Sequence, residues 1–154
     1  MCIRDSDKKT SIFAGAAADP NCRSQKSLEN RIRKKKEAGA QFIQTQMVMK
    51  KENLIEFCEK IANPLEIPVI AGVFLLKSYK NALFINKYVP GANIPENILN
   101  RIKNAKDPLQ EGLQIAAEQA QEYINIADGI HLMAVKAEHL IPEILEKANL
   151  NLEY

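Results

Sequence analysis

The sequence has no tryptophan, only two histidines, and three cysteines that stand far apart at Cys2, Cys22 and Cys58. No Cys-x-x-Cys pair exists, so zinc ribbons and dithiol redox motifs are excluded, and the odd, scattered set reads as thiols of a reducing, cytoplasmic compartment. His131 and His139 lack a Cys or His neighbour at ligand spacing, so no metal site is expected. The six glycines are scattered singly. That leaves neither a glycine-rich phosphate loop nor a Gly-x-Ser-x-Gly nucleophile turn. Apolar runs such as Ile67 to Leu76 are interrupted by Pro68 and are too short to span a bilayer. Met1 to Thr10 is mostly polar and charged, unlike a secretory signal. A net charge of +2 is too small to argue for a nucleic-acid partner.

What is present is a globular composition, 46% hydrophobic and 26% charged over 154 residues. Four apolar segments suit buried parallel strands: Ser11 to Ala18, Gln41 to Met47, Pro68 to Leu75 and Gly129 to Val135. Between them lie helical patterns. Leu28, Ile32 and Ala38 mark the first, and Leu54, Ile55, Phe57, Cys58 and Ile61 mark the second. Ser78 is placed to cap a helix running to about Tyr88, where Pro90 and Gly91 break it. Pro95 opens a shorter helix with Ile98, Leu99 and Ile102. Asp107 with Pro108 opens a longer one with Leu109, Leu113, Ala116, Ala117, Ala120, Tyr123 and Ile124 inward. The last helix starts near Glu138 or Pro142 and ends around Ala148.

Strands and helices in this alternation predict a parallel α/β sheet with right-handed crossovers. A flavodoxin-like sheet fits the pattern, though four strands are few for it. Four β/α units are also half of a (β/α)8 barrel, the reading adopted here. Met1 to Ser6 reads as read-through of sequencing-adapter DNA, with a genuine frayed N-terminus as the alternative, residues 7–150 as the partial barrel, and residues 151–154 as a tail. A half barrel exposes two strand edges, so it is expected to dimerise, aggregate or stay partly molten.

Barrels place their reacting groups at the C-terminal ends of strands. That rule selects Asp19, Asn21 and Arg23, then Thr45 and Gln46, then Lys77 to Asn81, and finally His131 to Lys136. The Gln46 amide offers a donor and an acceptor, which suits a pterin edge or, equally, barrel backbone. The basic run Arg31 to Lys36 is most simply a solvated helix face. One or two of its cations could reach a pyrophosphate along the rim, but neighbouring positions diverge and cannot all meet one ligand. It lacks the interleaved aromatics of a nucleic-acid surface. His131, inside an apolar strand, reads as a structurally satisfied histidine.

The stretch Glu37-Ala38-Gly39-Ala40-Gln41-Phe42-Ile43-Gln44-Thr45-Gln46 resembles the methylenetetrahydrofolate reductases. Gly15-Ala16-Ala17-Ala18-Asp19-Pro20 is similar to that family's fifth strand, Pro68-Val69-Ile70-Ala71-Gly72-Val73 to its seventh, and Gly129-Ile130-His131-Leu132-Met133 to its eighth. Ile94-Pro95-Glu96 fits the segment between the last two. The resemblance spans Thr10 to Ala148 and implies the C-terminal half of a barrel that holds FAD. The family passes hydride from a reduced nicotinamide through the flavin to 5,10-methylenetetrahydrofolate, giving 5-methyltetrahydrofolate.

The same resemblance assigns Gln46 and Asn81 to the substrate, and Lys35, Lys34 and Asp19 to the cofactor. Many members carry an aromatic residue where Asp19 stands, and Leu75 replaces a common proline. His131-Leu132-Met133-Ala134 resembles a branch found in anaerobic and one-carbon-fixing organisms, whose enzymes can draw electrons from a partner subunit. The family's catalytic glutamate lies on the first strand and its flavin-side aspartate follows the fourth, so neither falls in this chain, which alone is expected to be inactive. The full-length form is expected to be an oligomer. A different reading is a non-catalytic half-barrel scaffold that pairs with another chain.

Overall fold

A computed structural model describes residues 12–150 of the chain. Its strands are β1 (Gly15–Ala18), β2 (Phe42–Met47), β3 (Val69–Phe74) and β4 (Gly129–Met133), all parallel and ordered β1-β2-β3-β4. The helices are α1 (Gln25–Glu37), α2 (Lys51–Phe57), α3 (Tyr79–Tyr88), α4 (Glu96–Asn104), α5 (Pro108–Tyr123) and α6 (Ile141–Lys147). A π turn, Cys58–Ala62, prolongs α2, and a 3-10 turn, Glu138–Leu140, leads into α6.

Local chemistry sets the helix ends. Ser24 accepts from the Ser27 N–H at 3.3 Å and Ser78 from the Asn81 N–H at 3.1 Å, each supplying an N-cap. Asp107 accepts from the N–H groups of Leu109 and Gln110, with Pro108 at the first helical turn. Lys34, Lys35 and Lys36 occupy the last turn of α1, where positive charge suits the helix dipole. Gly39, at φ +102°, then turns the chain toward β2.

Alternate residues of each strand divide between two faces. Ala18, Ile43, Val69, Ala71 and Val73 pack against Leu28 and Ile32 of α1, Leu54 and Phe57 of α2, Leu113, Ala116 and Ala120 of α5, and Ile144 of α6. Tyr123 closes this core, its hydroxyl donating to the Val48 carbonyl at 2.9 Å. The opposite face carries Phe42, Gln44, Ile70 and His131, all half-buried. A doubly wound sheet has helices on both faces and a reversal of strand order. Here the order never reverses and the helices packed on the sheet share one face, so the architecture is half of a (β/α)8 barrel. A second core caps the C-terminal end: Met47, Met49 and Leu76 meet Ala82 and Ile85 of α3, Ile98, Leu99 and Ile102 of α4, and Ile115 of α5. Gly112 lets α5 approach closely, since a Cβ there would lie 1.8 Å from the Leu76 carbonyl oxygen.

Three sequence expectations are corrected. The first strand is shorter than Ser11 to Ala18: pairing covers Gly15–Ala18 alone, and Ile12 and Phe13 stand 70% and 67% exposed. β1 has a described neighbour on one side only, and the ladder ends where Gln41 meets Ala14. The fourth strand stops at Met133 because the Ala137 N–H turns back to the Ala134 carbonyl and Lys136 takes φ +56°. Ala38 is the exposed C-cap of α1 and not part of its inner face. Ser11, residues 1–6 and residues 151–154 lie outside the described residues. No helix among the described residues is long and apolar enough to cross a membrane.

Candidate functional site

An open cavity of about 650 Å³ runs along β1 and over the inner face of β2. Its wall is Gly15 to Ala18 with Leu28 and Ile32, and its polar groups come from Asp19, Arg31, Lys35, Gln44, Thr45 and Gln46. Asp19, Thr45 and Gln46 stand at strand ends, and α1 brings Arg31 and Lys35 alongside. The sequence expected Gln46, Lys35 and Asp19 at one mouth, and all three line this cavity.

Gln46 sits on an irregularity of β2. Gln44 stands opposite Ile70, yet Met47, not Gln46, stands opposite Gly72, so β2 has one residue more than β3 over this stretch. Bulges of this kind re-aim side chains. Thr45 stabilises the bulge by accepting from the Gly72 N–H at 2.9 Å and donating to the Gln46 carbonyl at 2.8 Å. Gly72 is required here, since a Cβ would lie 2.8 Å from the Gln46 carbonyl oxygen and 2.9 Å from that of Thr45. The Gln46 Oε1 accepts from the Met47 N–H at 3.0 Å, and no protein acceptor engages its Nε2 among the described residues.

Lys35 donates its ammonium to the Ala17 carbonyl on the edge of β1. Arg31, one turn earlier on the same face, donates to the Cys22 sulfur at 3.1 Å. Asp19 accepts from the Asn21 N–H at 3.0 Å through Oδ1. Its Oδ2 lies where a Cβ on Gly91 (φ +82°) would come within 2.4 Å, so the α3–α4 loop closes over this carboxylate. Asn21 is structural: its amide donates to the Met47 carbonyl and accepts from Asn53, fastening the β1 loop to the end of β2.

Two expected residues are not brought to the cavity. Lys34 opens on a neighbouring shallow depression with Ser24, Lys26, Ser27 and Asn30. Asn81 accepts from the Lys77 N–H at 3.2 Å and organises the start of α3. The rim is nonetheless continuous there, because Lys77 donates to the Val135 carbonyl at 2.8 Å across the ends of β3 and β4. His131 bonds Gln44 at 2.7 Å, so it is satisfied as expected, with a side-chain partner two strands away. Among the described residues no group of His, Cys, Asp and Glu could hold a metal ion.

Arg31 is the residue that the sequence reading left inside an undifferentiated basic run. The available signal was spacing: positions four apart on a helix share a face, which pairs Arg31 with Lys35, while Lys34 neighbours Arg31 on its other side, where both line the shallow depression.

Residues 9–149 match the family model for methylenetetrahydrofolate reductase. The protein described as methylenetetrahydrofolate reductase 2 of Saccharomyces cerevisiae is 26% identical over 152 aligned residues, covering 88% of this chain and 25% of the relative. A solved structure from Clostridium thermocellum matches with a TM-score of 0.62 and 19% identity, covering 89% of this chain and 51% of that one. It is described as an uncharacterized protein that binds two copies of 5-methyl-5,6,7,8-tetrahydrofolic acid, and at that identity the likeness shows the fold alone. The chain thus spans a quarter of the curated relative and half of the solved structure. On a family match that takes in both the bulged glutamine strand and the basic helix beside it, the chain belongs to the methylenetetrahydrofolate reductase family.

Proposed function

We propose that this chain forms one wall of the flavin and folate site of a reductase that converts 5,10-methylenetetrahydrofolate to 5-methyltetrahydrofolate. The observation that carries this reading is the convergence of Gln46, Lys35, Arg31 and Asp19 on one cavity of about 650 Å³. Pockets of that size suit ligands of cofactor scale.

The groups present fit FAD. Two cations a helical turn apart match a pyrophosphate, and a guanidinium can grip phosphate oxygens through two N–H groups. The Asp19 carboxylate suits a ribose hydroxyl, which donates, and the alanine-lined wall suits a flat apolar ring. Bound FAD would supply the hydride chemistry, with a reduced nicotinamide or a partner electron-donor subunit as the source of electrons. The chain's share is binding and orientation. Gln46, aimed by the bulge, offers its amide to the complementary donor and acceptor edge of a pterin. Lys34 and Asn81 flank this wall. Lys34 adds positive charge beside Arg31, and Asn81 holds the loop through which the substrate side of the rim is shaped.

The test uses the polypeptide in which this chain is joined to the four upstream β/α units of a family barrel. It is expected to be yellow and to oxidise reduced FAD when given methylenetetrahydrofolate. Gln46→Ala should weaken folate about tenfold, the worth of one hydrogen bond near 1.4 kcal/mol, while flavin stays bound. A colourless protein that ignores added FAD would overturn the flavin half of the reading. Unchanged folate affinity in the variant would overturn the role of Gln46.

A further inference from the structure

A second cleft, of about 440 Å³, opens in the helix layer where the start of α2 meets α4 and α5. Its walls follow β2 and β3, the two inner strands, so neither flank of the sheet borders it. Met49, Ile98 and Ile115 give it an apolar floor. Gln119 lines the same cleft and is only 7% exposed. Its Nε2 donates to the Met49 sulfur at 3.6 Å, so the other end of the amide is the oxygen. That Oε1 is buried and meets no donor among the described residues. A buried carbonyl oxygen without a donor is destabilising, and an N–H brought by a ligand would complete it.

The rim carries both signs of charge. Arg101 is committed to Glu111 at 2.7 Å and to Glu118 at 2.6 Å, and Lys51 to Glu122 at 3.3 Å. Lys50 and Glu52 also line the cleft, and neither has an ion-pair partner among the described residues. Glu52 sits in the first turn of α2, where the helix dipole accounts for it. Lys50 is different. It precedes α2 with no side-chain bond to the helix, and a positive charge there is of the unfavourable sign. Local structure thus leaves one cation and one buried acceptor unexplained in one cleft.

We propose that this cleft binds a small zwitterionic α-amino acid with an apolar side chain. Its ammonium has three N–H donors, of which one completes the Gln119 Oε1 and another is left for Glu52. Its carboxylate meets the Lys50 ammonium, and its side chain lies on Met49, Ile98 and Ile115. A simple anion would leave the buried oxygen without a donor, and a simple cation would leave Lys50 without a partner. The volume falls at the small end of the range for small-molecule sites. The site is separate from the cavity along β1 and β2. It does not rest on the flavin and folate reading and is tested without either ligand.

Isothermal titration calorimetry should be run on the purified chain, alone and joined to the upstream β/α units. The probes are L-valine, L-leucine, L-isoleucine, L-methionine and L-phenylalanine at up to millimolar concentration, and at least one should bind at one site per chain. The N-acetyl form of that amino acid lacks the ammonium and its amide lacks the carboxylate. Each should bind at least about tenfold more weakly. Gln119→Leu keeps the volume and removes the oxygen. It should weaken binding at least about tenfold while the melting temperature holds or rises, because an unpaired buried group has been removed. Lys50→Ala, on the exposed rim, should also weaken binding and leave melting unchanged. No binding by any of the five amino acids would overturn the proposal, as would equal binding of the N-acetyl form or binding indifferent to both substitutions. A fall in melting temperature for Gln119→Leu would show the oxygen to be satisfied already, by water alone, and would overturn it too.

Discussion

β1 and β3 belong to one sheet yet are held in unlike ways. β3 has strands on both sides, and Val69, Ala71 and Val73 are at most 1% exposed beneath α2 and α5. β1 has four residues, one neighbouring strand among the described residues, and Gly15 and Ala17 exposed. Burial stabilises the first region, with each large side chain contributing about 2 kcal/mol. The second region has little of that burial, and its small side chains line the cavity beside Arg31 and Lys35. Among the described residues, burial is thus concentrated in the middle of the sheet and the cavity's charges lie at its flank.

Substitutions should separate the two regions, and the largest effect belongs to the middle. Phe57, fully buried between α2 and the sheet, should cost about 4 kcal/mol when replaced by alanine. Thermal melting checks this, and a loss under about 1 kcal/mol would erase the distinction between the regions. A subtler handle is Cys58, whose thiol is pushed up to about 11 by burial first, and then by Asp128 and Glu59. A thiol with its folded pKa raised from the ordinary 9.0 holds its proton longer when folded. Its contribution is therefore complete below about pH 9 and is lost as pH rises through about 11. Denaturant midpoints measured across that window should fall, and Cys58→Ala should flatten the decline. The smallest effect belongs to the flank. Glu29→Ala breaks the exposed Arg33–Glu29 pair on α1, 2.7 Å apart, and should change stability by no more than about 0.5 kcal/mol.

The sequence was most legible where one residue type has one physical use. Ser78, Pro95 and Asp107 with Pro108 mark helix starts because capping oxygens and a pre-set φ serve few other purposes. The buried strands were visible as continuous apolar runs. Less legible were features that depend on two distant segments meeting. The extra residue in β2 exists only against β3, and the need for Gly72 appears only once the Thr45 and Gln46 carbonyls are beside it. The Gln44–His131 bond joins residues 87 apart. The π turn at Cys58–Ala62, closed by the Asn63 N–H on the Cys58 carbonyl at 2.9 Å, has no compositional mark. Of the candidate site, Gln46, Lys35 and Asp19 follow from strand-end position and resemblance, whereas pairing Arg31 with Lys35 needed the helix phase.

The hydroxyl of Thr45 and the bare α-carbon of Gly72 have a consequence for how such a protein can change. Neither needs to touch a ligand, yet together they set the direction in which the neighbouring amide faces. Drift at these two supports could retune selectivity while every contacting group stays the same, so a comparison confined to contact residues would overlook the cause.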